Sequence, residues 1–139
     1  MYKTILVTLD TTPTDRAIID HVKQLAKEMH SSVVLLHVAT GVPAQFHGPD
    51  AGGEEVDEDS AYLAKVAAEF QSAGVPARAE LGFGDPFTEI VKWVVENGCD
   101  LVAMGTHGHG LLADVFFGTT ANRVQHNLSI PVLLLRARQ

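Results

Sequence analysis

The chain has 139 residues and a mass of 14.9 kDa, the size of one ordinary domain, which excludes an enzyme with a separate substrate lobe. Hydrophobic residues make up 46% and charged residues 19%, so a sizeable core is expected without a disulfide or metal staple. A net charge of −7 and a pI near 5.3 argue against nonspecific binding to nucleic acid or an anionic membrane.

Met1-Tyr2-Lys3-Thr4-Ile5 leads directly into a strand-like run, with no basic segment and apolar stretch of the secretory kind. Ile5–Leu9 reads as a buried strand. Thr12-Pro13-Thr14-Asp15 then opens a helix, with Thr12 as cap, Pro13 at the first helical position and Asp15 completing a capping box. Ile18, Val22, Leu25, Ala26 and Met29 line one face of that helix. Val33–Val38 is a second strand.

Residues 39–53 read as irregular, rich in Gly and Pro. The acids Asp50, Glu54, Glu55, Asp57, Glu58 and Asp59 follow the pattern of a solvated loop running into a helix start, and lack the alternating ligands of an EF-hand. Ser60–Ala73 is a second helix with Leu63, Val66, Ala67 and Phe70 inward, stopped by Gly74. Ala77–Leu81 is a third strand, and Gly82-Phe83-Gly84 reads as a turn. Asp85-Pro86 caps a third helix with Phe87, Ile90, Val91 and Val94 inward, ended by Asn97-Gly98. Leu101–Met104 is a fourth strand. A glycine-containing loop from Gly105 to Gly118, a fourth helix at Thr119–His126 and a last strand at Pro131–Leu135 complete the chain. No run of 18 or more apolar residues is present. The lone Cys99 cannot form an internal disulfide, and these features together predict a cytoplasmic protein.

The order βαβαβαβαβ with continuous apolar strands predicts an α/β fold: one parallel sheet with helices on both faces and right-handed crossovers. Ligands of such sheets sit outside the carboxyl ends of the strands, where the strand order reverses. That rule selects Asp10 after the first strand, Val38-Ala39-Thr40 after the second, and Gly105-Thr106-His107-Gly108-His109-Gly110 after the fourth. Glycine there lets a ligand approach main-chain N–H groups, which can hold phosphate oxygens. Gly118-Thr119-Thr120 opens the fourth helix, whose N-terminus offers free donors and a favourable dipole. Glycine after a strand is also an ordinary turn signal, so this pattern alone leaves phosphate binding open. The P-loop pattern is absent, and Thr8-Leu9-Asp10-Thr11-Thr12 stands where a dinucleotide fingerprint would follow the first strand.

Gly105-x2-Gly108-x9-Gly118-Thr119 resembles the G-x2-G-x9-G-[ST] signature of the universal stress protein family, in its ATP-binding branch. The resemblance spans residues 1–139 as one domain. An Ile-Leu-Val strand ending near Asp10, Leu35-Leu36-His37-Val38, Met104-Gly105-Thr106-His107-Gly108 and Ile130-Pro131-Val132-Leu133-Leu134 carry it. It implies five parallel strands in the order 3-2-1-4-5 and a homodimer along the last strand. It implies ATP or AMP as ligand, with Mg²⁺, and action as a stress-response signalling or interaction module toward an unknown protein partner. Gly105 and Gly108 would bracket the phosphate loop, with Thr106 and His107 between them and His109 just after. Gly118 and Thr119 would hold phosphates, Asp10 and the Val38 backbone would meet the adenosine part, and Met104 and Thr120 would line the cleft. The family often has Asp-Gly-Ser where this chain has Asp10-Thr11-Thr12, a departure confined to the local turn.

The segment from Gly105 to Gly118 contains no Lys or Arg, so backbone dipoles must carry most of the phosphate binding. Protonated His107 or His109 would add to them. A metal site on His107-x-His109 would need further ligands, for which His37 and His126 are the unplaced candidates. Cys99 and Trp93 read as packing residues. No serine lies in a G-x-S-x-G context and no general base is evident, so no catalytic residue is assigned and ATP hydrolysis would at most be slow. The competing readings are a dimeric scaffold that binds no nucleotide and a slow ATP-hydrolysing protein.

Overall fold

The five apolar runs form β1 (Thr4–Thr8), β2 (Ser32–Ala39), β3 (Ala77–Phe83), β4 (Leu101–Thr106) and β5 (Val132–Arg136). All neighbours pair in parallel, and the order across the sheet is β3-β2-β1-β4-β5, as expected. The computed structural model describes residues 1–39, 53–106, 123–124 and 126–136.

Alternation along the strands sends successive side chains to opposite faces. Ile5, Val7, Val33, Leu35, Leu101 and Ala103 face α1 (Asp15–Met29) and α2 (Gly53–Ser72). Leu6, Val34, Leu36, Val102 and Met104 face the other way, against α3 (Pro86–Asn97) and Val124. Strands buried on both faces explain why they read as continuous apolar runs. Helix α1 buries Ile18, Ile19, Val22 and Ala26, while α3 buries Ile90 and Val94. Among the described residues no helix is long and apolar enough to cross a membrane.

Several boundaries differ from expectation. Strand β4 runs on through Gly105 and Thr106, expected as the start of the glycine loop, because both pair with β5 at Leu135 and Arg136. Helix α2 starts at Gly53, well before Ser60, because the acidic stretch through Asp59 is helical; carboxylates are favourable near a helix N-terminus. Strand β3 runs on through Gly82 and Phe83, which pair with Val38 and Ala39, and the turn falls at Gly84 with φ +106°. Helix α1 does not use a Thr12 capping box. It starts at Asp15, and Thr14 makes no side-chain cap bond. At α3 the expected signals hold: the Asp85 carboxylate accepts from the Thr88 amide at 2.9 Å, and Gly98 closes the helix in the left-handed region. The hydrogen bonds from Thr88 hold the Asp85 carboxyl below its ordinary range. Residues 123–124 and 126–127 are helical, so the expected fourth helix runs one residue past His126; its start lies outside the described residues.

At the amino ends of the strands, the Asp100 carboxylate accepts from the amides of Lys3 and Thr4, and the Asp100 amide donates to the Thr4 carbonyl. Burial works to raise this carboxyl, but the amide bonds outweigh it and hold the group below its ordinary range. The neighbouring Cys99 is buried, and that burial pushes its thiol up to about 11. Since the thiolate is the reactive form, Cys99 in the native protein should react with a disulfide reagent at pH 8 on the order of a hundredfold slower than in the unfolded chain. Equal rates in buffer and in guanidinium would contradict this burial.

Candidate functional site

The central strand stops early. Thr8, the last residue of β1, pairs with Leu36 on one side and Met104 on the other. Strand β2 continues to Ala39 and β4 to Thr106, so the carboxyl edge of the sheet has a notch above β1. The notch, flanked by β2 and β4, borders the junction of β1 and β4 where the strand order reverses, the place that general topology assigns to ligands.

The backbone alternation directs polar groups into this notch. Leu36 O accepts from Leu9 N on the β1 side, and Ala39 O accepts from Gly84 N on the β3 side. Val38 therefore turns its N–H and C=O toward the space β1 has left. On β4, Val102 N donates to Pro131 O beside β5, so Gly105 turns its polar atoms toward β1. Asp10, half-buried, follows β1 directly at the notch.

The segment that carries Asp10 is held by a carboxylate the sequence assigned to helix capping. Asp15 is 4% exposed. Its oxygens accept from the Asp10 amide at 2.9 and 3.1 Å, from the Thr11 amide at 2.9 Å and from the Tyr62 hydroxyl at 2.8 Å. Burial raises the Tyr62 hydroxyl above its ordinary range, and the bond to Asp15 adds to the effect. Between these anchors Thr11 has φ +61°, a left-handed conformation that a β-branched residue adopts only under strain. Thr11→Gly should therefore raise the melting temperature by a few degrees: relief of about 1–2 kcal/mol of strain outweighs about 0.5–1 kcal/mol of added chain entropy. A lower melting temperature in a thermal scan would refute it.

His37 is engaged by the segment that carries Asp10 and by helix α2. Its Nδ1 donates to the Leu9 carbonyl at 2.7 Å, and its Nε2 lies 3.5 Å from the Asp59 carboxylate. Among the described residues no group of three or more His, Cys, Asp or Glu side chains could hold a metal ion. Met104 is 3% exposed and packs in the core with Leu6 and Val102, under the notch. Gly105 is not required by packing, since an added Cβ would meet Ile18 at an ordinary 3.8 Å. Of the residues selected from the sequence, the fold brings Asp10, Val38, Gly105 and the backbone of Thr106 to one edge. His107, Gly108, His109, Gly118, Thr119 and Thr120 lie outside the described residues. Asp15, Tyr62 and Asp59 were missed; nothing in their spacing announces a carboxylate reaching back to a preceding loop.

The universal stress protein family profile matches residues 1–136, nearly the whole chain. The chain belongs to the universal stress protein family. Universal stress protein MJ0577 of Methanocaldococcus jannaschii is 25% identical over 99% of this chain and 97% of its own length. Its solved structure superposes with a TM-score of 0.83, covering 100% of this chain and 99% of that one at 26% identity. A universal stress protein solved in complex with cAMP superposes with a TM-score of 0.78 at 18% identity, covering 99% of both chains. One from Archaeoglobus fulgidus in complex with dAMP gives 0.71 at 18% identity, covering 96% of this chain and 97% of that one. At those identities the likeness concerns the fold. This universal stress protein thus shares the parallel sheet whose carboxyl edge is described above.

Proposed function

We propose that this chain binds an adenine nucleotide, ATP or AMP, across the notch above β1, and works as a cytoplasmic stress-response module through ligand-dependent interaction with a protein partner. The observation that carries the reading is the early end of β1, which leaves the Val38 and Gly105 backbones facing the same space beside Asp10. Paired N–H and C=O groups on Val38 suit the edge of an adenine ring, and a carboxylate at Asp10 suits ribose hydroxyls. The signature Gly105-x2-Gly108-x9-Gly118-Thr119 would supply phosphate contacts, with Thr106, His107, His109 and Thr120 beside it. Two fold relatives solved with cAMP and dAMP support an adenine nucleotide as the ligand class.

Mg²⁺ would fit only as a companion of the phosphates. It is commonly held by one or two carboxylates plus phosphate oxygens, and Asp10 is the carboxylate at this edge. The chain's own contribution is to bind and orient; no residue is assigned a catalytic role.

The test is to purify the protein, denature it and identify the released nucleotide by chromatography. ATP or AMP in near-stoichiometric amount supports binding, ADP points to turnover, and an empty protein that also gives no heat with ATP in calorimetry overturns the reading. Because the signature segment lacks Lys and Arg but holds His107 and His109, ATP should bind several-fold more tightly at pH 6 than at pH 8, since a free imidazole takes up its proton near pH 6.5. A flat calorimetric profile would remove the histidines from this account.

A second reading, a homodimeric interaction scaffold, draws on β5. It is an edge strand, and its Leu134 is 39% exposed. An apolar edge of this kind is commonly covered by a partner, and pairing along β5 is compatible with either reading.

A further inference from the structure

The geometry points to His37, Asp59 and Tyr62 as positioning residues that make α2 part of the ribose-reading apparatus, an inference that rests on the nucleotide reading of the notch. The peptide unit joining Leu9 to Asp10 has both its polar atoms clamped by side chains. Its carbonyl accepts from His37 Nδ1 at 2.7 Å, and its N–H donates to the Asp15 carboxylate at 2.9 Å. Leu9 N is in turn fixed to Leu36 O at 2.8 Å. A peptide unit held at both ends cannot rotate, so the position of Asp10 is set by what holds the two clamps.

Both clamps are backed by one helix. Asp59 lies 3.5 Å from the far nitrogen of His37, and the Tyr62 hydroxyl donates to Asp15 at 2.8 Å. Asp59 and Tyr62 are three residues apart on α2, so they project from the same side of the helix. The His37 and Asp59 side chains are 15% and 14% exposed, which shields this bond from water. A carbonyl only accepts, so Nδ1 carries a proton; the 3.5 Å approach of Nε2 to the Asp59 carboxylate is attractive when Nε2 is protonated as well, as an imidazolium–carboxylate pair. The arrangement is costly to build for packing alone: it orders a carboxylate, an imidazole and a phenol around one backbone unit. It is understandable if the carboxylate of Asp10 must be presented at a fixed place in the notch.

The consequence is specific. Loosening α2 at these two points should weaken the reading of ribose hydroxyls and leave the base and phosphate contacts in place. The experiment compares ATP with 2′,3′-dideoxy-ATP by calorimetry, in the wild type and in a Tyr62→Phe, Asp59→Ala double variant. The wild type should prefer ATP by about tenfold, the worth of a charge-assisted hydrogen bond. In the double variant the preference should fall below about threefold. The ratio is internal to each protein, so a general loss of stability cancels. His37→Gln, which can still donate to the Leu9 carbonyl, should keep more of the preference than His37→Leu. An unchanged ratio in the double variant overturns the inference, as does a wild type that binds both nucleotides equally. A wild type that binds neither overturns the nucleotide reading itself, which is a distinguishable result.

Discussion

Asp15→Ala should lower the melting temperature by on the order of 10–25 °C. The carboxylate is 4% exposed and satisfies two amides and a phenol. Deleting it strands three donors, and each unsatisfied buried polar group costs about 1–3 kcal/mol. The chain enters water partly in the relaxed variant, so a total of about 3–5 kcal/mol is the reasonable expectation. For a domain of this size each kcal/mol moves the midpoint by roughly 3–5 °C. Asp15→Asn retains one acceptor and turns an NH₂ toward donors, so it should be intermediate and not silent. Calorimetric melting of both variants decides the matter. A midpoint for Asp15→Ala within two or three degrees (about 1 kcal/mol) of the wild type would mean that these bonds do not hold the loop.

Gly118→Val should abolish nucleotide retention, with affinity for ATP reduced about a hundredfold or more, while the nucleotide-free protein melts close to the wild type. The reason is the one that selected the signature. If amides and a helix N-terminus make the phosphate site, a branched side chain at its mouth blocks approach and removes the conformational freedom of glycine. An acidic protein with a net charge of −7 has no long-range field to compensate. Wild-type affinity in Gly118→Val would show that phosphates are held elsewhere, and the assignment of the signature would fall with it.

The framework of this fold was legible because its signals are local. Apolar runs such as Val33–Leu36 and the helical spacing of Ile18, Val22 and Ala26 depend on neighbours a few residues away, and the sheet order came with the family resemblance. Capping at Asp85 and the stop at Gly98 were equally local. What escaped was long-range. Asp15 looked like a capping partner of Thr12, yet it serves Tyr62, which is distant in sequence. His37 looked like a loose imidazole because Asp59 approaches it from another helix. Thr11 concealed its left-handed backbone, since threonine is the wrong residue type to advertise one. The acids before Ser60 were read as a loop running into a helix start, and the helix in fact begins earlier, at Gly53. Of the site, Asp10, Val38 and Gly105 were selected by the rule about strand ends, and the shortness of β1 that brings them together became visible only when its neighbours were seen to outrun it.

The clamp of Asp100 on Lys3 and Thr4 has a practical corollary. It anchors the first strand at the sheet's amino edge and leaves Met1 outside, 90% exposed. Five residues of β1 separate that edge from Asp10, about 17 Å of extended chain. A dye or a solid support attached at Met1 would therefore stand off from the sheet's carboxyl edge by a full strand length, and could report on or immobilise the molecule without crowding that edge.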